Sequence, residues 1–348
     1  MDNSARNEQP AAGHWPTRSP RAHERLAELA DYCIPVAIRE VADLGIADLL
    51  AKGPRPAGEL AEEVGADRQA LTRVLRALAS RGVFTEESSG RFANTPLSSL
   101  LRSDHPLSMR DSLTIIPSHL RAWASFDHSV RTGRPAFDHV HGQTEWEYLA
   151  SHADEARRFD RSMRSLSVLL LRTSLRAYPW RELQTVADIG GGDGTFLTGL
   201  LTRCKDLHGV LVDQADVVAA APDIARAAGV SARIQVVAGD IFQPLPAGHG
   251  GYVLKLVLHA FDDDAAATIL QHVREAMRQD SRLLVIDSVI PPGDAFDPGK
   301  IMDLQMLATT RGHERTEAEF RSLLTRSGLR LNRVIPTPSM PIVEAVLP

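Results

Sequence analysis

Four glycines and two aspartates stand close together near the middle of the chain. The β-prone run at residues 185–189 contains Asp188 and is followed at once by Gly190-Gly191-Gly192-Asp193-Gly194, after which an apolar helix begins near Phe196. A strand, a tight glycine turn and a helix bring backbone amide groups to a place that a ligand can approach closely. The segment therefore predicts a ligand-binding loop.

A further carboxylate indicates what kind of ligand this is. The next β-prone run, at residues 209–212, ends at Asp213, where a strand would present a carboxylate to the hydroxyls of a ribose. The loop lacks the G-x-G-x-x-G pattern of dinucleotide sites. Asp188 and Asp193 would repel a pyrophosphate, but they could pair with the ammonium group of an amino acid. These residues favour S-adenosylmethionine over NAD, with a glycine turn that binds nothing as the alternative.

Polar residues also follow three later β-prone runs. These are 233–237 with Asp240, 252–258 with His259, and 283–286 with Asp287. Ligands of an open parallel sheet bind at the carboxyl ends of its strands, so we expect these side chains to face the same crevice as Gly190 and Asp213. Asp240 would then meet the adenine amino group.

The elements that must hold this site begin with a helical N-terminal segment. Apolar residues recur near helical spacing in residues 21–50 and predict helices with one buried face; they are Leu26, Leu29, Cys33, Val36 and Val41. Two further short helices meet at Gly65, and β-prone runs at 82–84 and 90–92 flank a polar turn. This order predicts a winged helix-turn-helix.

A winged helix suggests DNA binding, but the charge of this one argues against it. Residues 56–92 hold six acidic side chains and five arginines, whereas phosphate contacts require a basic face. We therefore interpret the segment as an interaction module. A winged-helix regulator with a ligand-sensing α/β domain is the non-enzymatic alternative.

Composition limits the remaining classes of function. The 348 residues are 43% hydrophobic and 24% charged, which suffices for two folded units. A net charge of -5 makes nucleic acid and anionic membranes unexpected partners. The two distant cysteines and the connector histidines lack ligand spacing, so no disulfide or metal is expected. No run reaches the roughly 18 to 20 apolar residues of a membrane span, and no signal-peptide pattern is present, which predicts a cytoplasmic protein.

Four ordered motifs together carry a specific resemblance. They lie at residues 186–194, 239–242, 254–259 and 312–316. In this order they resemble the S-adenosylmethionine-dependent small-molecule O-methyltransferases, which include plant phenylpropanoid enzymes and bacterial polyketide and antibiotic tailoring enzymes. The resemblance covers nearly the whole chain. It implies an α/β fold, a Rossmann-like class I methyltransferase domain preceded by a mainly helical, winged-helix-like dimerisation domain, and therefore a homodimer.

The expected domain boundaries follow from the composition and the resemblance together. A polar, proline-broken tail at 1–20 precedes the dimerisation domain at 21–105, a helical connector at 106–180 that lines the substrate pocket, and the S-adenosylmethionine-binding catalytic domain at 181–348.

The resemblance also assigns roles to individual residues. Asp188, Gly190 and Gly192 would surround the methionine part of the cofactor, Asp213 the ribose, Asp240 and Ile241 the adenine, with Lys255 beside them. Met163 and Ser167, on one helical face with Phe159, would approach the sulfonium and the substrate. His259 matches the family's general base, and Asp287 and Glu314 match the acids that orient it. The implied substrate is a small aromatic or polyketide-type natural product with a phenolic hydroxyl.

Two departures from the family pattern bear on these roles. Where the family commonly has His-Asp-Trp, this chain has His259-Ala260-Phe261, so a carboxylate and an indole wall are missing. The family's Gly-Gly-x-Glu-Arg-Thr begins here with Arg311-Gly312. Hydroxylation or decarboxylation, which some bacterial members perform with the same cofactor, is the enzymatic alternative, although those members tend to lack the histidine.

Overall fold

The N-terminal part of the protein is a helical unit with a small sheet. The computed structural model describes residues 22–87 and 90–348, so the predicted tail at 1–20 lies outside the described residues. The helices of this part are α1 (Ala22–Leu29), α2 (Cys33–Asp43), α3 (Ile46–Leu49), α4 (Ala57–Val64), α5 (Arg68–Ala79) and α6 (Pro96–Ser99). The strands β1 (Arg55–Pro56), β2 (Phe84–Glu87) and β3 (Arg91–Asn94) pair antiparallel in the order β1-β3-β2.

The predicted winged helix-turn-helix is confirmed. Helix α4 ends at Gly65, whose φ of +68° is the left-handed conformation that favours glycine. Helix α5 begins at Asp67, whose carboxylate accepts a hydrogen bond from the amide of Ala70 at 2.8 Å. Leu75 of α5 and Phe92 of β3 are fully buried in the core of this unit.

The first predicted helix differs from the expectation in one respect. Leu26 and Leu29 of α1 are 68% and 66% exposed, so the face that the spacing predicts to be buried is not covered by its own chain. Ile34 and Ile38 of α2 are partly buried against the core, and full burial begins at Val41. The spacing of apolar residues predicts that a helix has an apolar face, but it does not predict what packs against that face.

Five helices connect this unit to the larger sheet. They are α7 (Pro117–Trp123), α8 (Phe126–Thr132), α9 (Ala136–His141), α10 (Glu145–Ser151) and the long α11 (Ala153–Ala177). Phe137 is fully buried among Ala122, Ala136 and Tyr148. The connector therefore has a small core of its own.

The C-terminal part is built on a seven-stranded sheet. Its strands are β4 (Thr185–Ile189), β5 (His208–Asp213), β6 (Ile234–Ala238), β7 (Gly251–Lys255), β8 (Arg282–Ile286), β9 (Arg330–Ile335) and β10 (Ile342–Val346). Its helices are α12 (Thr195–Arg203), α13 (Ala221–Ala227), α14 (Asp263–Ala276), α15 (Pro298–Thr309) and α16 (Glu317–Arg326). Strands β4 to β8 are parallel, and β10 inserts antiparallel between β8 and β9.

The strand order explains where a ligand can bind. The sheet runs β6-β5-β4-β7-β8-β10-β9, so the chain moves outward from β4 in one direction and then resumes beside β4 in the other. Loops diverge at such a reversal and leave a crevice at the carboxyl ends of the strands. Helices α12 and α13 pack on one face of the sheet and α14 and α16 on the other, which completes three layers.

The strand expected at 252–258 is shorter than predicted. It ends at Lys255 because Leu256 has a φ of +55°, which an extended strand does not permit. A single turn of 3-10 helix, Leu258–Ala260, then carries His259. The antiparallel strands β9 and β10 were not predicted.

Within the described residues, no helix is both long and apolar enough to cross a membrane.

Candidate active site

The glycine loop forms the floor of the crevice. Gly190, Gly192 and Gly194 have φ values of +67°, +67° and +78°, which turn the chain sharply between β4 and α12. A Cβ on Gly191 would lie 2.5 Å from Leu211 and 2.6 Å from the Asp188 carboxyl, whereas one on Gly192 would meet nothing within 4 Å. The loop is thus packed against the sheet on one side and open on the other.

Asp213, at the end of β5, braces the open side of this loop. Its Oδ2 accepts a hydrogen bond from the amide of Gly192 and its Oδ1 from the amide of Gln214, both at 2.8 Å. Burial nevertheless raises the pKa of this carboxyl above its ordinary value. Asp213 therefore stands at the crevice with an environment that favours additional hydrogen-bond donors, such as a ribose diol.

Asp188 and Lys255 are charged groups buried beside the loop. Asp188 is fully buried, and neither carboxylate oxygen has a hydrogen-bond partner within the described structure. Burial raises the pKa of Asp188 to about 7 and lowers the pKa of Lys255 from its ordinary value. Since an unpaired buried carboxylate is costly, these two orphaned oxygens fit a missing cationic or hydrogen-bonding ligand group.

Helix α11 closes the crevice from the connector side. Arg164 donates from Nε to Oδ2 of Asp193 at 2.5 Å, and this bond ties the helix to the glycine loop. Met163 and Ser167, singled out from the sequence, lie on the same helix within one turn of Arg164. Burial, reinforced by the negative charge of Asp193, raises the pKa of Asp160 to about 6. Sequence reasoning missed Asp160 and Arg164 because their position depends on how α11 packs.

The far side of the crevice has an apolar character. Asp240 follows β6 and accepts a hydrogen bond from the amide of Phe242 at 2.9 Å. Ile241 and Phe242 pack against the core of the sheet, and the Phe242 ring meets that of Phe261 edge to face at 5.3 Å between centroids. A carboxylate beside apolar groups is suited to a flat heterocycle with an amino group.

His259 lies beside the crevice in a buried acidic cluster. Its Nδ1 is 2.8 Å from Oε1 of Glu314, and its backbone amide donates to Oδ2 of Asp287 at 3.3 Å. Burial by itself lowers the pKa of His259, but Asp287 and the hydrogen bond to Glu314 outweigh it, so the pKa of this imidazole is raised above its ordinary value. Burial also raises the pKa of Asp287, to about 6. The structure thus brings together the three residues predicted to act as base and orienting acids.

The segment that carries His259 is held by residues whose roles the sequence did not reveal. The buried guanidinium of Arg315 donates to the carbonyls of Leu258 and Phe261, at 2.9 Å and 3.0 Å. Gly312 packs so closely that a Cβ there would collide with the backbone of His259 and Ala260. On helix α15, Asp303 accepts from the amide of Glu314 at 2.8 Å. The signal for Arg315 was present in the motif at 312–316, but its contacts depend on the fold.

An aromatic wall joins connector side chains to Phe261, which follows His259 by two residues. Trp146 of α10 stacks on Phe261 at 6.5 Å, and Phe159 of α11 meets Trp146 edge to face at 5.9 Å. The indole that is missing at position 261 is therefore supplied from a distant part of the sequence. His119 continues the wall, at 6.5 Å from Phe159.

The connector histidines differ in their surroundings. His119 does have a carboxylate partner, Glu145, at 2.5 Å, contrary to the expectation from sequence spacing. His128 and His139 stack on one another at 4.1 Å. In the described ranges, no group of three or more histidine, cysteine or acidic side chains could hold a metal ion.

Comparisons with known proteins match nearly the whole chain to one family. The family model of the O-methyltransferase domain matches residues 123–330, and that of the O-methyltransferase dimerisation domain matches 27–104. Phenazine O-methyltransferase of Lysobacter antibioticus is 40% identical over 322 residues, 92% of this chain and 94% of the relative. Aclacinomycin 10-hydroxylase of Streptomyces purpurascens is 34% identical over 313 residues, 88% of this chain and 84% of its own.

A solved structure adds a ligand-bound relative. An O-methyltransferase from neocarzinostatin biosynthesis, crystallised with S-adenosylmethionine and 2-hydroxy-5-methyl naphthoic acid, superposes with a TM-score of 0.82 at 37% identity, covering 94% of this chain and 100% of that one. The chain belongs to the O-methyltransferase family. It is an S-adenosylmethionine-dependent O-methyltransferase of the kind that tailors natural products, with a class I methyltransferase fold and a helical dimerisation domain.

The charge around His259 leads to a prediction about its titration. In NMR of the Cε1 proton, His259 should titrate with a midpoint above 6.5, and Glu314→Gln should lower that midpoint because it removes a negative charge from the imidazolium. The pKa of His259 is higher in the folded than in the unfolded chain, so its protonation increases the free energy of unfolding. This contribution is fully present below the ordinary pKa of histidine and is lost as the pH rises through the raised pKa.

The matched control for this titration is Glu317→Gln, which changes an exposed glutamate bonded to Arg321. It should leave the His259 midpoint unchanged. A Glu314→Gln midpoint equal to that of the wild type would show that Glu314 does not set the protonation of His259.

Proposed function

We propose that this enzyme methylates a phenolic hydroxyl of a small aromatic acceptor, with His259 as general base. The observation that carries the proposal is the bond between His259 Nδ1 and Glu314 Oε1 at 2.8 Å. A carboxylate only accepts, so Nδ1 keeps its proton when the imidazolium is deprotonated, and the neutral ring then has a free lone pair on Nε2. That is the tautomer a general base requires.

The chain offers a set of residues that fits S-adenosylmethionine. Asp188, Gly190 and Gly192 would surround its methionine part, and Asp213 its ribose. The two orphaned oxygens of Asp188 and the open space over Gly192 support this assignment. Asp240 and Ile241 would hold the adenine, with Lys255 beneath; Met163 and Ser167 would lie near the reacting methyl.

The protein's own part in the reaction is alignment and the removal of one proton. S-adenosylmethionine supplies a methyl group on a sulfonium, which is already activated for displacement. His259 Nε2 takes the proton from the acceptor hydroxyl as the oxygen becomes nucleophilic. Glu314 keeps the ring oriented, and Asp287 stabilises the imidazolium that results. The aromatic wall and the buried position of His259 exclude water from this proton transfer.

The aromatic wall favours a planar aromatic acceptor. Trp146 contacts both Phe159 and Phe261, the second of which follows His259 by two residues, and Trp146 is 38% exposed. Aromatic rings gain from stacking and edge contacts with such side chains. The neocarzinostatin relative, crystallised with a hydroxylated naphthoic acid, is consistent with this acceptor class.

Non-methylating chemistry is the second candidate, because a relative at 34% identity is named a hydroxylase. A hydroxylase needs no base at the acceptor oxygen. The ordered histidine with its carboxylate partner weighs towards methylation.

We also propose that the protein acts as a homodimer. The apolar side chains of α1 and the loop that follows it are left uncovered by their own chain: Leu26, Leu29 and Tyr32 are 68%, 66% and 77% exposed. Exposed apolar groups this close together typify an interface. The match to a dimerisation domain over residues 27–104 makes a second copy the natural partner.

Cofactor binding is tested by calorimetry. The protein should bind S-adenosylmethionine and S-adenosylhomocysteine with micromolar affinity and should not bind NAD, and Asp213→Ala should abolish binding of the first two because the ribose loses its acceptor. Asp223→Ala, which removes a surface acid from α13, is the control and should bind normally. Binding of NAD, or tight cofactor binding by Asp213→Ala, would contradict the assignment.

The general base is tested by product analysis. Hydroxylated naphthoic acids, phenazines and benzoates are incubated with S-adenosylmethionine, and products are identified by mass spectrometry as bearing one added CH₂ unit on oxygen. His259→Ala should lower turnover by roughly a hundredfold or more while S-adenosylhomocysteine still binds. His208→Ala, at the exposed first position of β5 and so at the opposite edge of the sheet from the carboxyl ends of the strands, should stay active. A fully active His259→Ala, or a hydroxylated product, would reject the proposal.

The dimer is tested by sedimentation. The wild type should have twice the mass of one chain at micromolar concentration, and the pair Leu26→Asp and Leu29→Asp should produce a monomer because two charges would be buried at the interface. Val130→Asp, a comparable change at a 67% exposed position on α8, should remain dimeric. A monomeric wild type would disprove the dimer.

A further inference from the structure

Four polar side chains from three helices form one hydrogen-bonded chain behind the aromatic wall. Trp123 Nε1 donates to Gln305 Oε1 at 2.8 Å, Gln305 Nε2 lies 3.2 Å from His119 Nδ1, and His119 Nε2 lies 2.5 Å from Glu145 Oε1. Helices α7, α15 and α10 supply these residues. None of the four was assigned a role by the motifs in the sequence.

The chemistry of its two ends gives this chain a single direction. An indole nitrogen can only donate, so the Gln305 oxygen accepts and its amide nitrogen is turned towards His119. The amide nitrogen can only donate, so His119 Nδ1 accepts and carries no proton. The proton of a neutral imidazole is then on Nε2, where it is donated to the carboxylate of Glu145. His119 is therefore fixed as the neutral Nε2–H tautomer, the opposite of His259.

Burial makes this arrangement costly to disturb. Glu145 is 4% exposed, and a buried carboxylate without a donor is strongly destabilising. His119 is the donor that satisfies it, and Gln305 determines which nitrogen of His119 has the proton to give. Removal of the Gln305 amide frees the ring to turn or to change tautomer.

Helix α15 connects this chain to the catalytic cluster. Gln305 faces the connector, whereas Asp303, two residues earlier, accepts from the amide of Glu314. Two residues along an α-helix correspond to a rotation of about 200°, so the two side chains leave opposite sides of α15. The helix is thus held between the carboxylate that orients His259 and the imidazole that supports the aromatic wall.

We propose, on the basis of the methyl transfer proposed above, that Gln305 is a positioning residue that aligns the acceptor wall with His259. It does so by holding His119 in one tautomer, with the ring edge against Phe159 and through it Trp146. The acceptor is then presented to the base at a fixed angle. Within the described structure, the residues proposed to hold the cofactor share no hydrogen bond with this chain of four side chains, so cofactor binding does not depend on it.

The proposal is tested by kinetics with Gln305→Leu. Loss of both hydrogen bonds should raise the KM or Kd of the aromatic acceptor by about three- to tenfold, while the KM of S-adenosylmethionine changes less than about twofold. Gln271→Leu, the same replacement on the exposed side of α14, is the control and should leave both constants unchanged. The probe is 1,4-dihydroxy-2-naphthoic acid, followed by turnover and by calorimetric binding in the presence of S-adenosylhomocysteine.

The tautomer is tested independently by ¹⁵N NMR of histidine-labelled protein, with the signal assigned by its loss in His119→Gln. The wild type should show an unprotonated Nδ1 and a protonated Nε2. Gln305→Glu should show both nitrogens protonated, because a carboxylate accepts from Trp123 and can no longer donate to His119.

Each outcome decides a separate point. A protonated Nδ1 in the wild type, or Gln305→Leu changing the two substrates' constants equally, would overturn the role of Gln305. If the wild type neither binds nor methylates the probe, the acceptor class in the proposed function is wrong, and the NMR result alone decides on Gln305.

Discussion

The structure of the catalytic half is governed by the burial of ionisable side chains at one edge of its sheet. His259, Asp287, Glu314, Asp188 and Lys255 are all buried beneath the surface at the carboxyl edge of the sheet. Each would cost several kcal/mol there without a partner. Glu314 and Asp287 form hydrogen bonds with His259. The charge of Asp188 partly offsets the effect of burial on the pKa of Lys255, but neither oxygen of Asp188 has a hydrogen-bond partner in the described structure. Asp287 and Glu314 each use one carboxylate oxygen in this cluster, whereas Asp188 uses neither.

Several residues around the site hold His259, Glu314 and the glycine loop in position. Arg315 fastens both ends of the turn that carries His259, and Gly312 permits the close packing of its own segment against that turn. Asp303 holds the backbone of Glu314 from α15. The ion pair between Arg164 and Asp193 brings the connector onto the glycine loop. These few contacts determine the shape of the crevice between the connector and the sheet. The wall that closes it is made of side chains from α7, α10 and α11.

The wall shows how a departure in a motif can be compensated elsewhere. Phe261 stands where the family commonly has tryptophan, and Trp146 stacks on it from α10. The missing acid at Ala260 is less of a loss, because Asp287 and Glu314 already flank His259 from two other elements. The contact of Trp146 with Phe261 cannot be inferred from the local sequence, since the two residues are far apart along the chain.

The sequence by itself determined the layered α/β architecture, the winged helix and the order of the polar residues at the strand ends, because these depend on local periodicity and on glycines at turns. It also pointed to His259, Asp213 and Glu314 through the motifs around them. Tertiary structure alone decided that β7 stops at Lys255, that Trp146 completes the wall, and that His119 meets Glu145. The physical reason is that hydrogen bonds and ring contacts act over a few ångströms in space, and packing brings residues within that range regardless of their separation along the chain.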